Sequence, residues 1–159
     1  MLEKVKIFLS SLQSEFAEER KALASYIDAD ALLGKHFEVF LFEQLPALAL
    51  SAQETYIKQV IQCDIYIGLV GTKYGTITDN NLSPTEVEYN VASEHHKTKL
   101  IFLSQVDHNA IEKPQKSFIK KNENDVVRKK FDSLISLKVS VYNALIRYLE
   151  DVKEYIIYQ

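Results

Sequence analysis

The segment Leu82-Ser83-Pro84-Thr85-Glu86-Val87-Glu88-Tyr89 drops two carboxylates into the first turns of a predicted helix, directly after a glycine-containing loop. An acid in that position could stabilise the positive charge that builds on a sugar carbon as an N-glycosidic bond breaks, or attack that carbon. One glutamate suffices. Glu86 is the first candidate and Glu88 the second, because residues two apart point to different sides of a helix and only one can address a given crevice. The competing reading is structural, since the helix dipole favours an acid in the first turn with no chemistry attached.

Upstream, the apolar run Cys63-Asp64-Ile65-Tyr66-Ile67-Gly68-Leu69-Val70-Gly71 leads into Thr72-Lys73-Tyr74-Gly75. Gly71 and Gly75 suit close backbone approach to a ligand, and Tyr74 could stack or offer its hydroxyl. Ser83 and Glu88 complete this side of the candidate pocket. Ser10 and Ser11 end the first predicted strand, where a following helix offers free N–H groups to a phosphate or ribose. Capping that helix is the more ordinary use of a serine and the favoured reading. Glu19 and Arg20 form an ion pair or solvate a helix face, both structural uses.

Other constellations are less informative. There is no Gly-Lys-Ser/Thr pair and no Gly-x-Gly-x-x-Gly, so autonomous ATP hydrolysis is not expected. His95 and His96 are splayed by about 100° on a helix with no shared ligand at metal spacing, so they should face solvent and no metal site is expected. The basic residues Lys120, Lys121, Arg128, Lys129 and Lys130 are interrupted by Glu123 and Asp125 and read as a solvated face.

The elements that must position the candidate acids follow from periodicity. Val5 to Leu9 is a strand, and Phe16, Leu23 and Ile27 set a helical stripe after it. The step recurs with a strand from His36 to Phe42, Ser51 as an N-cap, and Tyr56, Ile57, Val60 and Ile61 at helical spacing. A third strand, Asp64 to Val70, precedes the acid-bearing helix, drawn from about Ser83 to Lys97, and Lys99 to Ser104 is a fourth strand. Val106 to Asn124 reads as a variable surface insertion with one short helix. Val126 to Phe131 is a short edge strand, and Asp132 or Ser133 caps a long last helix whose Leu134, Leu137, Val141, Leu145 and Leu149 share a stripe. Near-continuous apolar strands alternating with amphipathic helices predict a three-layer α/β sandwich around a five-stranded parallel sheet of order 2-1-3-4-5. A ligand crevice is then expected at the carboxyl ends of the strands.

With 159 residues, a formal net charge of −3 and a pI near 5.8, the chain has the size of one domain and no basic footprint for direct nucleic-acid binding. The single cysteine, Cys63, rules out an internal disulfide and reads as core packing. No stretch approaches the roughly 20 apolar residues of a membrane helix, and the N-terminus has no signal-peptide pattern, so a cytoplasmic protein is expected. The apolar end Tyr155 to Tyr158 is expected to meet a following domain or a partner, or to finish the domain's own core.

In this order, Val5-Lys6-Ile7-Phe8-Leu9-Ser10-Ser11 with Phe16 to Arg20, Phe40-Leu41-Phe42-Glu43, Cys63 to Gly68, Gly71 to Gly75 and Ser83 to Tyr89 resemble a TIR-like family catalogued as a domain of unknown function. The resemblance implies a flavodoxin-like fold and a domain, residues 1–159, at the N-terminus of a longer protein with DNA-binding, ATP-binding or NTPase-plus-repeat modules downstream. The layout is also similar to TIR NAD glycohydrolases and nucleoside deoxyribosyltransferases. In the transferases the functional glutamate precedes a Gly-Tyr pair by one residue, and Glu86-Val87-Glu88-Tyr89 keeps the acid-to-tyrosine spacing, which puts Glu86 in the nucleophile's place. The Trp-Cys-x-x-Glu pattern of many TIR enzymes is departed from, since there is no tryptophan and Ser83 stands for the cysteine. The resemblance implies NAD or a related nucleotide as substrate or ligand, no required cofactor and a homo-oligomer. The alternative it leaves is a noncatalytic sensing or self-association domain controlling an output domain.

Overall fold

The computed structural model describes residues 3–41, 51–78, 80–125 and 128–152. Strands β1 (Val5–Ser10), β2 (Phe37–Phe40), β3 (Ile65–Val70), β4 (Thr98–Ser104) and β5 (Arg128–Phe131) form one parallel sheet in the order β2-β1-β3-β4-β5, as the alternation of strand and helix predicts. All six residues of the central β3 are buried, which is why its sequence is apolar without alternation.

Helices cover both faces. On one lie α1 (Gln13–Ala29), the short α2 (Leu33–His36) and α6 (Leu134–Val152), and on the other α3 (Ala52–Gln62), α4 (Pro84–Glu94) and α5 (Lys113–Glu123). The α6 stripe Leu137, Val141, Leu145 and Leu149 is almost fully buried against Ile7, Leu9 and Ile67 of the sheet. Ser133 caps α6, its Oγ accepting from the Ser136 amide at 3.1 Å, while the Ser136 Oγ accepts in return from the Ser133 amide at 3.1 Å. Ser51 caps α3 through a reciprocal capping box with Glu54.

Several boundaries differ from the sequence reading. His36 ends α2 instead of opening β2, and Phe42 lies outside the described residues. Helix α4 stops at Glu94 rather than Lys97, because His96 turns the chain with a φ of 55°, and β4 already begins at Thr98. The stretch expected to be a surface insertion contains an 11-residue helix, α5, whose Phe118 is buried in the core, after a 3-10 turn at His108–Ala110. Polar residues dominate α5 because Gln115, Phe118 and Asn122, at helical spacing, are its buried positions, with Ile119 partly buried beside them. Val126, Val127 and the apolar end Tyr155 to Tyr158 lie outside the described residues. No described helix is long and apolar enough to cross a membrane.

Candidate functional site

Parallel pairing aligns Phe8 with Tyr66 and Ser10 with Gly68, so these four positions share the sheet face that α4 covers. A Cβ at Gly68 would stand 2.9 Å from the Ile101 side chain and 3.2 Å from the Tyr66 ring, so glycine there lets both close over the strand. Against this face lies α4, whose N-terminus is set by Ser83. The Ser83 Oγ accepts from the Glu86 amide at 3.2 Å, and Pro84 occupies the first turn, where its missing N–H has no cost.

The two acids of α4 then diverge, because two residues along a helix rotate a side chain by about 200°. Glu88 turns inward and is 6% exposed, with the Ser10 hydroxyl donating to its Oε1 at 3.1 Å. Burial pushes its carboxyl up to about 8, against the opposing influence of the Ser10 hydrogen bond and the Arg20 charge. It is therefore largely protonated at neutral pH. The Tyr66 hydroxyl is also fully buried, beside Ser10 and Glu88, and makes no hydrogen bond of good geometry. Glu86, by contrast, is engaged on both oxygens. The Tyr74 hydroxyl donates to Oε1 at 2.6 Å and the Lys121 ammonium to Oε2 at 3.0 Å, with Lys121 also donating to the Asn90 side chain.

A cleft of about 180 Å³ opens between the N-terminal halves of α3 and α4, lined by Tyr56, Ile57, Thr78, Val87 and Glu88. Glu88 is the carboxyl-bearing residue on its wall, and the rest of the lining is mainly apolar. The volume lies below the roughly 300–1,000 Å³ of sites that enclose a whole drug-sized ligand, so the cleft suits one ring of a larger molecule.

The structure distributes the remaining sequence candidates over different duties. Ser10 and Ser11 do not cap α1, whose N-cap is Leu12 with no side-chain bond. The strand runs on through Ser10, which carries its hydroxyl to Glu88, while the Ser11 Oγ accepts from the Arg20 guanidinium at 2.9 Å. Arg20 is buried and also donates to the Leu9 carbonyl at 3.1 Å, pinning the end of β1. What approaches Gly71 is Glu15: a Cβ there would stand 2.5 Å from its carboxyl carbon, and the Glu15 carboxylate accepts from the amide and hydroxyl of Thr72 at 2.8 and 2.7 Å. Gly75 has a φ of 98°, a turn that glycine makes without strain. Tyr74 is held by its own amide donating to Glu112 at 2.7 Å. Burial and then the Glu86 hydrogen bond raise its hydroxyl pKa. His95 and His96 are exposed, and Cys63 is buried, its thiol raised to about 11 by desolvation.

Sequence reasoning missed Tyr66, Tyr56, Lys121, Glu15 and Glu112 as members of this region. Their contacts join positions 35 to 57 residues apart, or depend on which strand face a tyrosine occupies. Only the strand alternation of Phe8, Ser10, Tyr66 and Gly68 could have indicated that these residues share a face. Among the described residues, no group of three or more His, Cys, Asp or Glu side chains could hold a metal ion.

A family model described as Domain of unknown function (DUF4062) matches residues 6–146. No curated protein matches significantly. Among solved structures, the chain is similar to a Clostridium botulinum CMP N-glycosidase, BcmB, with a TM-score of 0.54 and 13% identity, over 86% of this chain and 97% of that one. It is also similar to the TIR domains of the activated Roq1 resistosome recognising the effector XopQ, with a TM-score of 0.52 and 14% identity, over 97% of this chain and 78% of that one. At these identities the likeness is one of fold.

Proposed function

We propose, for a chain that belongs to the family described as Domain of unknown function (DUF4062), that it is a TIR-like nucleotide-processing domain with Glu88 as the proton donor that cleaves an N-glycosidic bond. The base of a nucleotide enters the α3–α4 cleft, and the sugar and phosphate remain outside it. As the C1′–N bond breaks, its electrons go to the base nitrogen and Glu88 delivers a proton to the base. The resulting carboxylate lies in a low-dielectric site beside the oxocarbenium-like carbon, where its charge is most stabilising. Water adds to C1′ and returns a proton to Glu88, so that nucleotide plus water gives free base plus sugar phosphate.

The observation that carries this reading is a buried carboxyl, raised to about 8, on the wall of a base-sized cleft. It also bears on substrate class. A neutral purine or pyrimidine needs a proton to leave, whereas nicotinamide departs from NAD already neutral. The site therefore favours nucleotides with neutral bases over NAD. The fold shared with a CMP N-glycosidase supports the same class.

A second reading rests on Glu86, which the resemblance to the transferases puts in the nucleophile's place and which is tied up by Tyr74 and Lys121. In that reading the domain senses a nucleotide without cleaving it, or assembles with copies of itself, and controls a downstream output domain. The test is release of base from CMP, a deoxynucleotide and NAD by wild type, Glu88→Gln and Glu86→Gln. Loss of about 100-fold or more in Glu88→Gln supports the first reading. Nucleotide binding without turnover by wild type supports the second, and equal turnover by wild type and Glu88→Gln removes Glu88 from the mechanism.

A further inference from the structure

A second cavity, about 570 Å³, lies at the carboxyl ends of β3 and β4, roofed by α5 and floored in part by β5. None of its lining residues belongs to the α3–α4 cleft. Pairing sets Arg128 beside Ile101 and Lys130 beside Leu103, so both cations project from the sheet face that α5 covers, where a covered strand would ordinarily be apolar. From α5 come Lys116 and Lys120, one turn apart on the same helix face. Four cations thus converge on one cavity, with Glu123 as the lining carboxylate.

Their surroundings separate them. Arg128 is braced, its Nη1 donating to the Ile119 carbonyl at 3.0 Å and to the Asn122 side chain at 3.1 Å, and Glu123 stands 3.9 Å from Nη2. Among the described residues, Lys116, Lys120 and Lys130 have no ion-pair partner. Cations alone on an edge strand such as β5 are explained by protection against edge pairing. That purpose requires no cavity and no matching lysines on the facing helix. Between and beside the cations the lining is apolar, from Val70, Leu103 and Ile119. A fixed guanidinium and three ammonium groups in a cavity whose lining is otherwise partly apolar suit a ligand that carries clustered anionic oxygens together with an apolar ring. The volume falls within the range that encloses such a molecule.

We propose that this groove is a binding site for a phosphorylated small molecule of the nucleoside polyphosphate class, independent of the glycosidase reading. Calorimetric titration with ATP and with inorganic tripolyphosphate tests it, on wild type, Glu88→Gln, and the double variant Lys120→Gln/Lys130→Gln. Both substituted lysines are exposed, and a circular dichroism spectrum checks that the fold is kept. Wild type and Glu88→Gln should bind both probes, ATP the tighter through the apolar part of the lining, with affinity falling as salt rises. The double variant should bind each at least about tenfold more weakly. The proposal is overturned if wild type binds neither probe or the double variant binds as wild type does. It is also overturned if a single-stranded DNA oligomer outcompetes ATP at equal phosphate concentration. Base release should be unchanged in the double variant, so loss of the glycosidase reading alone leaves the groove result standing.

Discussion

The buried cluster on the α1 and α6 face of the sheet is built of aliphatic side chains and phenylalanines, among them Leu9, Phe16, Leu23, Ile67, Leu137 and Leu145. Under α3, α4 and α5 the buried set contains Cys63, Tyr66, Tyr74 and Tyr89, and beside them Ser10, Glu86, Glu88, Gln115 and Asn122. The same sheet therefore carries two kinds of interior. One gains stability chiefly from apolar burial, with Arg20 as the buried charged side chain of its helices, and the other buries hydroxyls and carboxyls whose desolvation is unfavourable. Local violations of the rules for a stable core are expected where function has been placed, and here they cluster around one helix.

The comparison can be broken first on the apolar side. Leu145→Ala should lower unfolding free energy by about 2–5 kcal/mol in a denaturant titration, through a cavity that α6 cannot close. The loss should be the same between pH 4.5 and 8, because Tyr26 and Tyr148, packed against this cluster and raised above the ordinary 10 by burial, stay protonated there. A loss well under 1 kcal/mol would remove the distinction between the faces.

On the polar side, Glu88 should make stability fall as pH rises. Its carboxyl in the folded protein sits near 8 against an ordinary 4.5. Below 4.5 the acid is protonated whether the chain is folded or not, so it exacts no penalty. Between 4.5 and 8 the unfolded chain releases the proton and the folded one keeps it, so stability declines until the pH passes 8. Glu88→Gln should remove that slope and be more stable than wild type above pH 8, by on the order of a few kcal/mol. Urea midpoints across the range measure it, and parallel profiles for the two proteins would contradict it.

The smallest effect is expected for Tyr66→Phe. Its hydroxyl is buried without a well-formed hydrogen bond, so deleting it should change stability by less than about 1 kcal/mol, toward neutral or higher stability. A loss of several kcal/mol would mean the hydroxyl is satisfied after all. Weakened nucleotide binding at unchanged stability would add Tyr66 to the cleft's recognition groups.

The topology was legible because apolar runs such as Ile65 to Val70 and the α6 stripe each satisfy one period only, and their alternation admits few arrangements. The α5 helix was not, because one phenylalanine and two polar residues are its buried positions, with a single partly buried isoleucine beside them. For the site, the acid-bearing helix start was readable from local chemistry alone, whereas the capping duty of Ser83, expected on the pocket side, was not. Which acid faces which neighbour was not. That depends on the rotation of α4 against the sheet, and on Lys121 and Ser10 arriving from positions 35 and 78 residues away. The basic cluster read as a solvated face divides in three dimensions, Lys121 going to Glu86 while Lys120, Arg128 and Lys130 face the second cavity.

The most direct test of the central claim is the titration of Glu88 itself. In protein labelled with 13C at the glutamate side-chain carboxyls, NMR spectra collected across pH should contain one resonance with a midpoint near 8, absent from Glu88→Gln. If every glutamate carboxyl instead titrates in the ordinary range, the cleft holds no proton donor at neutral pH and the proposed mechanism fails.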